Sequence, residues 1–358
     1  MLKKIDLYII RKFLGTFFLS ISLIMSIAIM IDLTEKMDKF FDNQAPVKAV
    51  IVDYYLNMIP YFANMFSPLF TFIAVIFFTS KMAGNSEIIA IQSSGISYNR
   101  LLRPYIISAT LIALVTFLLS GFVIPSANKT RLDFENQYIK KFRQEHVSNI
   151  QLEIQKGIIL YIERFDNAQN TGYNISMERF NDKQLVSRMT AQSMHWDTLN
   201  QWQVKNYLIR EFRGMKEQIT SGEVLDTSIA VQPTDFFITA FDSPQMKNNE
   251  LKAYLEKQQE RGVGNIKAFQ DEYYKRFSMP FAAFILTIIG VSLASRKVRG
   301  GTGLHLGIGI GLSFGYILFS TFSTSFSVNG SMSAWLAAWL PNFVFALIAF
   351  YVYHKAPK

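Results

Sequence analysis

Side chains that could carry out chemistry are sparse in this sequence of 358 residues. It has no cysteine, which removes disulfides, thiolate metal sites and cysteine nucleophiles together. It also lacks the phosphate-loop pattern G-x-x-x-x-G-K-[ST] and the zinc-protease pattern H-E-x-x-H. The four histidines are scattered at positions 146, 195, 305 and 354, and nothing singles out a serine–histidine–aspartate triad. The sequence therefore predicts a non-catalytic chain with no metal site and no cofactor.

One acidic residue stands out by its position. The stretch KMAGNSEIIAIQSSGIS, residues 81–97, links two long uncharged blocks and contains a single acid, Glu87. Asn85 or Ser86 can cap a short helix here, which places Glu87 in the positive first turn. Gly95 can end the helix. The link is therefore predicted to be helical.

This short helix has two possible roles. In the first, Glu87 only compensates the helix dipole, which contributes ~0.3–1 kcal/mol. In the second, the helix docks on a soluble partner: apolar side chains including Ile88 and Ile91 enter a groove, and Glu87 pairs with a partner cation. The residues assigned to the docking role are Ser86, Glu87, Ile88, Ile91 and Gly95.

The elements that position this link are membrane spans. A helix that crosses ~30 Å of hydrocarbon needs about 20 residues without charge. The uncharged blocks predict six such spans, at residues 13–32, 55–80, 104–126, 277–295, 304–323 and 334–353. Pro60 and Pro68 predict a kink in the second span.

Basic residues in the short loops give the orientation. The segments at residues 3–12, 81–103, 296–299 and 355–358 are rich in Lys and Arg and hold only two acids, Asp6 and Glu87. Positive residues are retained on the cytoplasmic side, so both termini and the 81–97 link are predicted to be cytoplasmic. This rule explains much of the net charge of +9, and no nucleic-acid partner is needed to account for it.

A second domain is inserted between the third and fourth spans, because the segment there is far longer than a connecting loop. Its middle alternates apolar and polar residues between turn formers, as Tyr173, Ile175 and Met177 illustrate, which is typical of antiparallel strands. The predicted strands are residues 157–166, 171–180, 183–196 and 201–212, with one or two more in 218–231. Their regular spacing suggests a compact β-sandwich or jelly roll.

A stripe of glycines runs along the fifth span. Gly303, Gly307, Gly311 and Gly315 recur every four residues and so share one helix face. Such a face allows close helix approach in lipid. It serves either permanent packing inside the subunit or contact with another helix that slides along it or leaves.

Basic residues at the outer ends of two spans are candidate lipid contacts. Lys36 and Lys39 lie one helical turn apart after the first span, and Lys129 and Arg131 follow the third. Cations at this level can bind anionic headgroups or phosphorylated sugars, or they can simply be solvated.

Several segments resemble a known family. They are MLKKIDLYIIRKFLGTF at the N-terminus, FFTSKMAGNSEIIAIQSSGIS after the second span, RPYIISA and VIPSANK in the third, and FSMPFAAFILTIIGVSLASRKVRGGTGLHLGIGIGLSFGYILF across the fourth and fifth. Together they resemble the lipopolysaccharide export permeases LptF and LptG. The resemblance implies six spans, a periplasmic jelly-roll domain, and pairing of LptF with LptG over a cytoplasmic ATPase dimer.

The resemblance also implies roles for particular positions. Ser86 to Gly95 matches the coupling helix, with Glu87 at the acidic position expected to meet an arginine of the ATPase. Spans one and five match lateral gates against the sister permease subunit, which favours a gating role for the glycine stripe. The strand domain is expected to receive lipopolysaccharide and pass it to a periplasmic jelly-roll bridge protein. Asp32 lies near a position where some members have lysine, so Lys36, Lys39, Lys129 and Arg131 remain candidate contacts only.

The predicted architecture is an α-helical membrane protein with six transmembrane helices and an inserted periplasmic all-β, jelly-roll-like domain. Residues 1–128 hold spans one to three with the coupling helix at 85–95, residues 129–265 the periplasmic domain with helical connections, and residues 266–358 spans four to six. The predicted function is that of a permease subunit of an ABC transporter for lipopolysaccharide in a Gram-negative inner membrane. The alternatives are an exporter of another amphipathic lipid or a lipoprotein, a static scaffold for a periplasmic β-domain, and an integral membrane enzyme.

Overall fold

The computed structural model describes residues 3–139, 146–181, 184–198, 201–214, 216–229, 231–236, 240–260, 266–296 and 301–356. The chain forms two compact units. The first unit consists of Met1–Ile139, Pro244–Asn248 and Gln270–Lys358, and the second consists of Lys140–Ser243 and Asn249–Phe269.

Helices make up almost all of the first unit. In chain order the α-helices of the described residues are α1 (Lys4–Asp42), α2 (Val47–Ala49), α3 (Leu56–Met65), α4 (Ser67–Gly84), α5 (Glu87–Ser93), α6 (Tyr98–Leu118), α7 (Ile124–Phe134), α8 (Asn248–Glu260), α9 (Lys267–Ser278), α10 (Phe281–Ala294), α11 (Gly301–Val328) and α12 (Ala334–His354). Of these, α8 from Asn249 onward and the first residues of α9 belong to the second unit. Single π-helical turns at Val50–Tyr55, Leu119–Val123 and Glu135–Ile139 join some of them.

The described helices confirm a helical membrane protein. Five helical segments are long and apolar enough to cross a bilayer: Lys4–Asp42, Ser67–Gly84, Tyr98–Ile139, Gly303–Val328 and Ala334–His354. A sixth span forms if α9 and α10 are counted together, although they meet at an angle of 49°. Pro280 lies at this bend, where a residue without a backbone N–H interrupts the helical hydrogen bonds. The first and fifth spans extend further than the sequence predicted, because polar residues continue both helices.

The second span, for which the prolines predicted a kink, is interrupted at Phe66 between two helices. Helix α3 contains Pro60 and ends at Phe66, and α4 begins with Pro68 in its first turn. Before the break, the amide of Asn57 donates hydrogen bonds to the carbonyl oxygens of Val52 and Asp53 at 2.9 and 3.0 Å. Side-chain donors of this kind satisfy backbone groups that irregular helix geometry leaves open in a membrane.

Helices α4 and α10 form the centre of the helical unit. The most apolar stretch of α4 is 72% buried inside the protein, whereas the corresponding stretches of α1 and α11 are 11% and 22% buried. The close approach of α10 to α4 requires Gly290, where a Cβ atom would lie 2.7 Å from Cγ1 of Val75. Helices α1 and α11 therefore lie at the periphery of this centre and expose most of their surface in the single chain.

The second unit contains a six-stranded antiparallel sheet in which the strands follow chain order. The strands are β1 (His146–Gln155), β2 (Ile158–Asp166), β3 (Thr171–Asn181), β4 (Gln184–Trp196), β5 (Gln201–Arg213) and β6 (Lys216–Ser228). The sequence predicted β2 to β6 but not β1. The described strands connect as a meander, without the crossing connections that define a jelly roll. Their core includes Phe165, Met194 and Trp202, whose indole N–H donates to the carbonyl oxygen of Val231 at 3.0 Å.

One row of residues runs across this sheet with irregular backbone. Asn149, Asn174 and Asn206, on β1, β3 and β5, have positive φ angles of 58°, 53° and 51°. At this row each of the five strand pairings lacks one residue pair, while the pairs on either side of the gap are formed. The strands keep the same register on both sides of this row, but the inward-facing side chains shift by one residue, as between Ile162 and Phe165 on β2.

This shift makes one detail of the predicted alternation wrong. Gly172 faces the core, since a Cβ atom there would lie 3.0 Å from Cγ2 of Ile162. Ile175 is also buried in the core, three residues further on. Tyr173 therefore lies on the opposite face from Ile175 and Met177, where its ring contacts the guanidinium of Arg164.

Candidate coupling and gating surfaces

The link after the second span is a helix, as its sequence pattern predicts. Helix α5 is separated from α4 by Asn85 and Ser86, and Ser86 has a left-handed backbone with φ 60°. No side chain caps the helix at Ser86, so the expected capping hydrogen bond is not formed there. Gly95 has φ +84° after the last turn, and its N–H donates to the carbonyl oxygen of Gln92 at 2.9 Å. The left-handed conformation explains why glycine follows this helix.

Glu87 lies at the start of α5 and contacts two other segments. Its Oε1 accepts a hydrogen bond from the Asn85 amide at 3.1 Å, and its Oε2 lies 3.5 Å from the Tyr8 hydroxyl of α1. Next to it is an open cavity of 420 Å³, which is also lined by Lys4, Met82 and Ala90. Glu87 is therefore a half-exposed acid on the rim of a mostly apolar groove between α1 and α5.

The isoleucines of α5 point in different directions. Ile88 is 1% exposed and belongs to the core of the helical unit together with Phe13, Phe78 and Tyr105. Ile91 is partly buried against the same core. Ile89, which the sequence analysis did not select, is 54% exposed. Ile88 therefore anchors α5 to its own subunit and presents no surface to a partner, because its side chain is already enclosed.

An ion pair that the sequence analysis missed joins α1 to the segment after α5. The two oxygens of Asp6 accept hydrogen bonds from both terminal nitrogens of Arg100, at 2.7 and 2.6 Å. Asp6 is 4% exposed and also accepts the backbone N–H of Lys3 at 2.8 Å. The two residues are 94 positions apart, so no local pattern could pair them.

The outer side of α1, away from the rest of the subunit, is apolar and exposed in the single chain. Leu19, Leu23, Met30 and Ile31 each expose more than 60% of their surface. Phe13 and Phe17, on the opposite side, are buried against α4 and α6. The helix thus contacts its own subunit along a narrow stripe and leaves most of its surface open.

The glycine stripe of α11 is open in the single chain. A Cβ atom added at Gly303, Gly307 or Gly311 would meet nothing within 4 Å, and one at Gly315 would only touch Phe345 at 4.0 Å. Close packing inside the subunit falls instead on Gly309, where a Cβ atom would lie 2.5 Å from Cδ1 of Ile76. The stripe is therefore not used for packing within the described part of the chain.

The basic residues at the outer end of α1 differ from each other. Lys36 forms an ion pair with Asp32 at 2.7 Å, donates to the Tyr54 hydroxyl and lies over the Tyr54 ring. Lys39 is exposed, and no salt bridge to it is found among the described residues. Lys39 is thus the more accessible cation of this pair.

The same contrast holds at the end of the third span. Arg131 lies 3.8 Å from Glu135 and over the ring of Tyr61, while its Nε is buried without a hydrogen-bond acceptor. Lys129 is exposed. The structure therefore brings Lys36 and Arg131 into contacts within the subunit and leaves Lys39 and Lys129 facing outward.

The histidines are not gathered into a site. His305 is 6% exposed and lies 3.1 Å from the Ser80 hydroxyl, whereas His195 lies in the other unit, 2.9 Å from the hydroxyl of Thr171. Within the described residues no group of three or more His, Cys, Asp or Glu is placed to hold a metal ion.

A bundle of apolar spans with an inserted antiparallel sheet defines a polytopic membrane protein that carries a strand domain. The model of one family, described as Lipopolysaccharide export system permease LptF/LptG, matches residues 7–355, so the chain belongs to this family. A search of curated proteins finds no match to the chain. At the level of the family, the chain is an inner-membrane permease subunit of lipopolysaccharide export that associates with other components of that system.

Proposed function

We propose that this chain is the non-catalytic membrane subunit of an ATP-driven machine that extracts lipopolysaccharide from the inner membrane. ATP hydrolysis takes place in a separate cytoplasmic ATPase dimer, and a sister permease completes the membrane part. The observation that carries this proposal is that two contacts join α1 to the segment around α5: Glu87 of α5 lies 3.5 Å from the Tyr8 hydroxyl, and Arg100 of α6 forms an ion pair with Asp6.

Docking uses the outer side of α5. Glu87 offers its carboxylate at the rim of the 420 Å³ groove, and Ile89 and Ala90 are exposed beside it. A side chain of the ATPase fills the groove while a cation of the ATPase pairs with Glu87. This differs from the sequence-based expectation, in which the apolar side chains of this chain entered a groove on the partner.

Movement of α5 reaches α1 through two contacts. Ile88 locks α5 into the core of the subunit, so α5 moves together with the neighbouring ends of α4 and α6. The bidentate Asp6–Arg100 pair fixes the cytoplasmic end of α1 to α6, because its geometry holds both groups in one orientation. A displacement produced by nucleotide binding therefore passes to α1 without a flexible step.

The gate consists of α1 and α11 against the sister subunit. Both helices expose most of their surface in the single chain, and the glycine stripe offers a smooth face for a partner helix. When these contacts open, lipid enters a cavity lined by spans one, two and five. Lys39 and Lys129 are the accessible cations for phosphorylated sugars at the outer surface.

The strand domain carries the lipid onward. Its β6 is an edge strand that exposes Ile219 by 60% and Val224 by 53%. An exposed edge strand can extend its sheet by pairing with a strand of another chain. A periplasmic bridge protein with a similar strand domain is the partner that fits this edge.

The first test is purification of the intact complex, with identification of its protein chains and bound lipid by mass spectrometry. We expect an ATPase, a second permease and lipopolysaccharide. Another amphipathic lipid or a lipoprotein in place of lipopolysaccharide would assign the chain to a different exporter. Export that persists after cross-linking of α1 and α11 to the partner subunit would favour the static scaffold.

A further inference from the structure

The irregular row of the sheet alternates between two kinds of residue. It contains one exposed residue from each strand: Asn149, Glu163, Asn174, Gln192, Asn206 and Glu223. The three asparagines, on β1, β3 and β5, have positive φ angles, whereas the residues on β2, β4 and β6 do not. At this level each pair of neighbouring strands therefore joins one left-handed asparagine to one side chain that can accept a hydrogen bond.

The side chains of the row are hydrogen-bonded in one direction. The amide of Asn174 donates to Oε2 of Glu163 at 2.7 Å, and the amide of Asn206 donates to Oε1 of Gln192 at 2.5 Å. In both pairs the asparagine donates to the strand that precedes its own in chain order. The next acceptor in this series is Glu223 on β6, and no hydrogen bond to its carboxylate is found among the described residues.

The opposite edge of the sheet has the complementary group. Asn149 on β1 accepts a hydrogen bond from the Tyr161 hydroxyl at 2.8 Å through its Oδ1, while its amide nitrogen donates to no group in the described part of the chain. The row thus ends in an acceptor at the β6 edge and in a donor at the β1 edge. β1 shows what kind of strand continues the row beside β6.

A strand added at the β6 edge has to fit this row. All described neighbours in the sheet are antiparallel, and β6 has a described neighbour on one side only. To continue the pattern, the added strand needs a residue that tolerates a left-handed backbone opposite Glu223. Asparagine and glycine adopt this conformation readily, and of the two only asparagine also has a side-chain donor for the carboxylate.

We propose that β6 pairs with an antiparallel edge strand of the bridge protein, and that this strand places a left-handed asparagine opposite Glu223. The proposal rests on the proposed function, which supplies the partner, and adds the register in which the two strands pair. Register matters because a slip of one residue turns every side chain of the added strand to the other face. A second copy of this chain is not the partner, because head-to-tail pairing of identical chains leaves an open edge at each step and does not close.

Disulfide cross-linking tests the register in the intact complex. Val224→Cys places a thiol beside Glu223 at a position that is 53% exposed, in a chain without natural cysteine. Single cysteines are then introduced along the edge strand of the bridge protein that co-purifies. A disulfide requires Cα atoms ~4.4–6.8 Å apart, so only directly opposed positions react efficiently. Because the strands are antiparallel, we expect the reactive position to come immediately before an asparagine.

Variants of Glu223 test the hydrogen bond itself. We expect Glu223→Ala to lower recovery of the bridge protein with tagged permease by about tenfold, because hydrogen bonds to charged groups are the stronger ones. Glu223→Gln, the residue type that β4 has in this row, should stay within about twofold. Asp226→Ala removes the same charge from another exposed position of β6 and should leave recovery unchanged. Glu223→Ala combined with glycine in place of the partner's asparagine should lose no more than Glu223→Ala alone.

Four results would overturn the assignment. They are a disulfide at a position that does not precede an asparagine, a disulfide to β1 of a second copy of this chain, no disulfide to any chain, and equal recovery for Glu223→Ala and Asp226→Ala. Recovery of the ATPase and of the sister permease should be the same for all these variants. Their absence from the complex would contradict the proposed function, whereas a wrong register with both present contradicts this inference alone.

Discussion

At the scale of single residues, Glu87 is the position where this subunit meets its motor in our proposal. It lies half exposed on the groove rim, where Oε1 accepts a hydrogen bond from the Asn85 amide and Oε2 lies 3.5 Å from the Tyr8 hydroxyl. A carboxylate has further acceptor sites, so it can also pair with a partner cation. Truncation of one member of a close interfacial charge pair typically weakens binding by tenfold or more. Glu87 therefore offers a direct test of docking.

We expect Glu87→Gln to weaken co-purification of the ATPase by about tenfold, and Glu87→Lys to weaken it further because like charges then face each other. The measurement is the amount of ATPase recovered with tagged permease. Asp38→Lys, an exposed acid elsewhere on α1, makes the same change of charge and should leave recovery unchanged. Normal recovery and normal export with Glu87→Lys would remove the docking role.

Asp6 and Arg100 form the connection between α6 and the end of α1. Since the two groups act as one pair, removing either should have nearly the effect of removing both. We expect Asp6→Asn, Arg100→Gln and the double variant to lower export to a similar degree while the ATPase still co-purifies. Arg11→Gln, an exposed neighbour on α1, is the control and should export normally. Effects of the single variants that simply add in the double variant would contradict a paired role.

At the scale of elements, α11 has two glycine faces with opposite roles. Gly309 faces Ile76 at close range, whereas Gly311 faces open space in the single chain. A pattern of four-residue spacing drew attention to the open face only. The face that contains Gly309 has no such repeat in the sequence, and only its packing against α4 in the structure identifies it.

Leucine substitutions should separate these faces. Gly309→Leu overpacks the subunit and should destabilise it by ~1–3 kcal/mol or more. Gly311→Leu should not lower the melting temperature of the isolated subunit, because leucine is a better helix former than glycine, which is ~0.8–1 kcal/mol less favourable than alanine in a helix interior. We nevertheless expect Gly311→Leu to block assembly with the sister subunit or export. Assembly and export that tolerate Gly311→Leu would show that the stripe is not a gate face.

The irregular row of the sheet gives a second test at this scale. Asn206 has a left-handed backbone, while its neighbour Lys205 does not, and both are exposed. Asn206→Val should destabilise the protein by about 1–2 kcal/mol, because asparagine tolerates the left-handed backbone whereas the β-branched side chain of valine is strained in it. Lys205→Val should be neutral, and Asn206→Gly should stay close to the unaltered protein although it removes the hydrogen bond to Gln192. Equal melting temperatures for the two valine variants would contradict a strained position.

Particular residues show where sequence reasoning succeeded. Uncharged blocks were sufficient to find the spans, because the bilayer imposes one strong requirement on length and polarity. Pro60 and Pro68 predicted a kink in the second span, and the helix is interrupted at Phe66, two residues before Pro68, while α3 continues through Pro60. The strands from Ile158 to Ser228 were visible because alternation has a short period.

Other features depend on contacts that no local pattern contains. The missing residue pair at Asn174 is repeated at the same level across every strand of the sheet. The sequence of a single strand therefore suggests unbroken alternation through Tyr173. Ile88 and Ile89 are chemically identical, and only packing against Phe13 and Tyr105 decides which one is buried. Asp6 and Arg100 are 94 positions apart, near the beginnings of α1 and α6.

At the scale of the whole molecule, the account requires α5 and the strand domain to lie on opposite sides of the membrane. The distribution of Lys and Arg supports this arrangement, since the loop that holds α5 is basic. An ATPase can bind α5 only from the cytoplasm, and a bridge protein can pair with the β6 edge only in the periplasm. The coupling, gating and transfer steps all depend on this division.

The most direct measurement is labelling of single cysteines from one side, which the natural absence of cysteine makes possible without further changes. Ile89→Cys on α5 and Lys205→Cys on β5 place a thiol at exposed positions. With a membrane-impermeant maleimide applied from the periplasmic side, we expect Lys205→Cys to react at once and Ile89→Cys to react only after the inner membrane is opened. Reaction of both cysteines from the same side of the intact membrane would contradict the account.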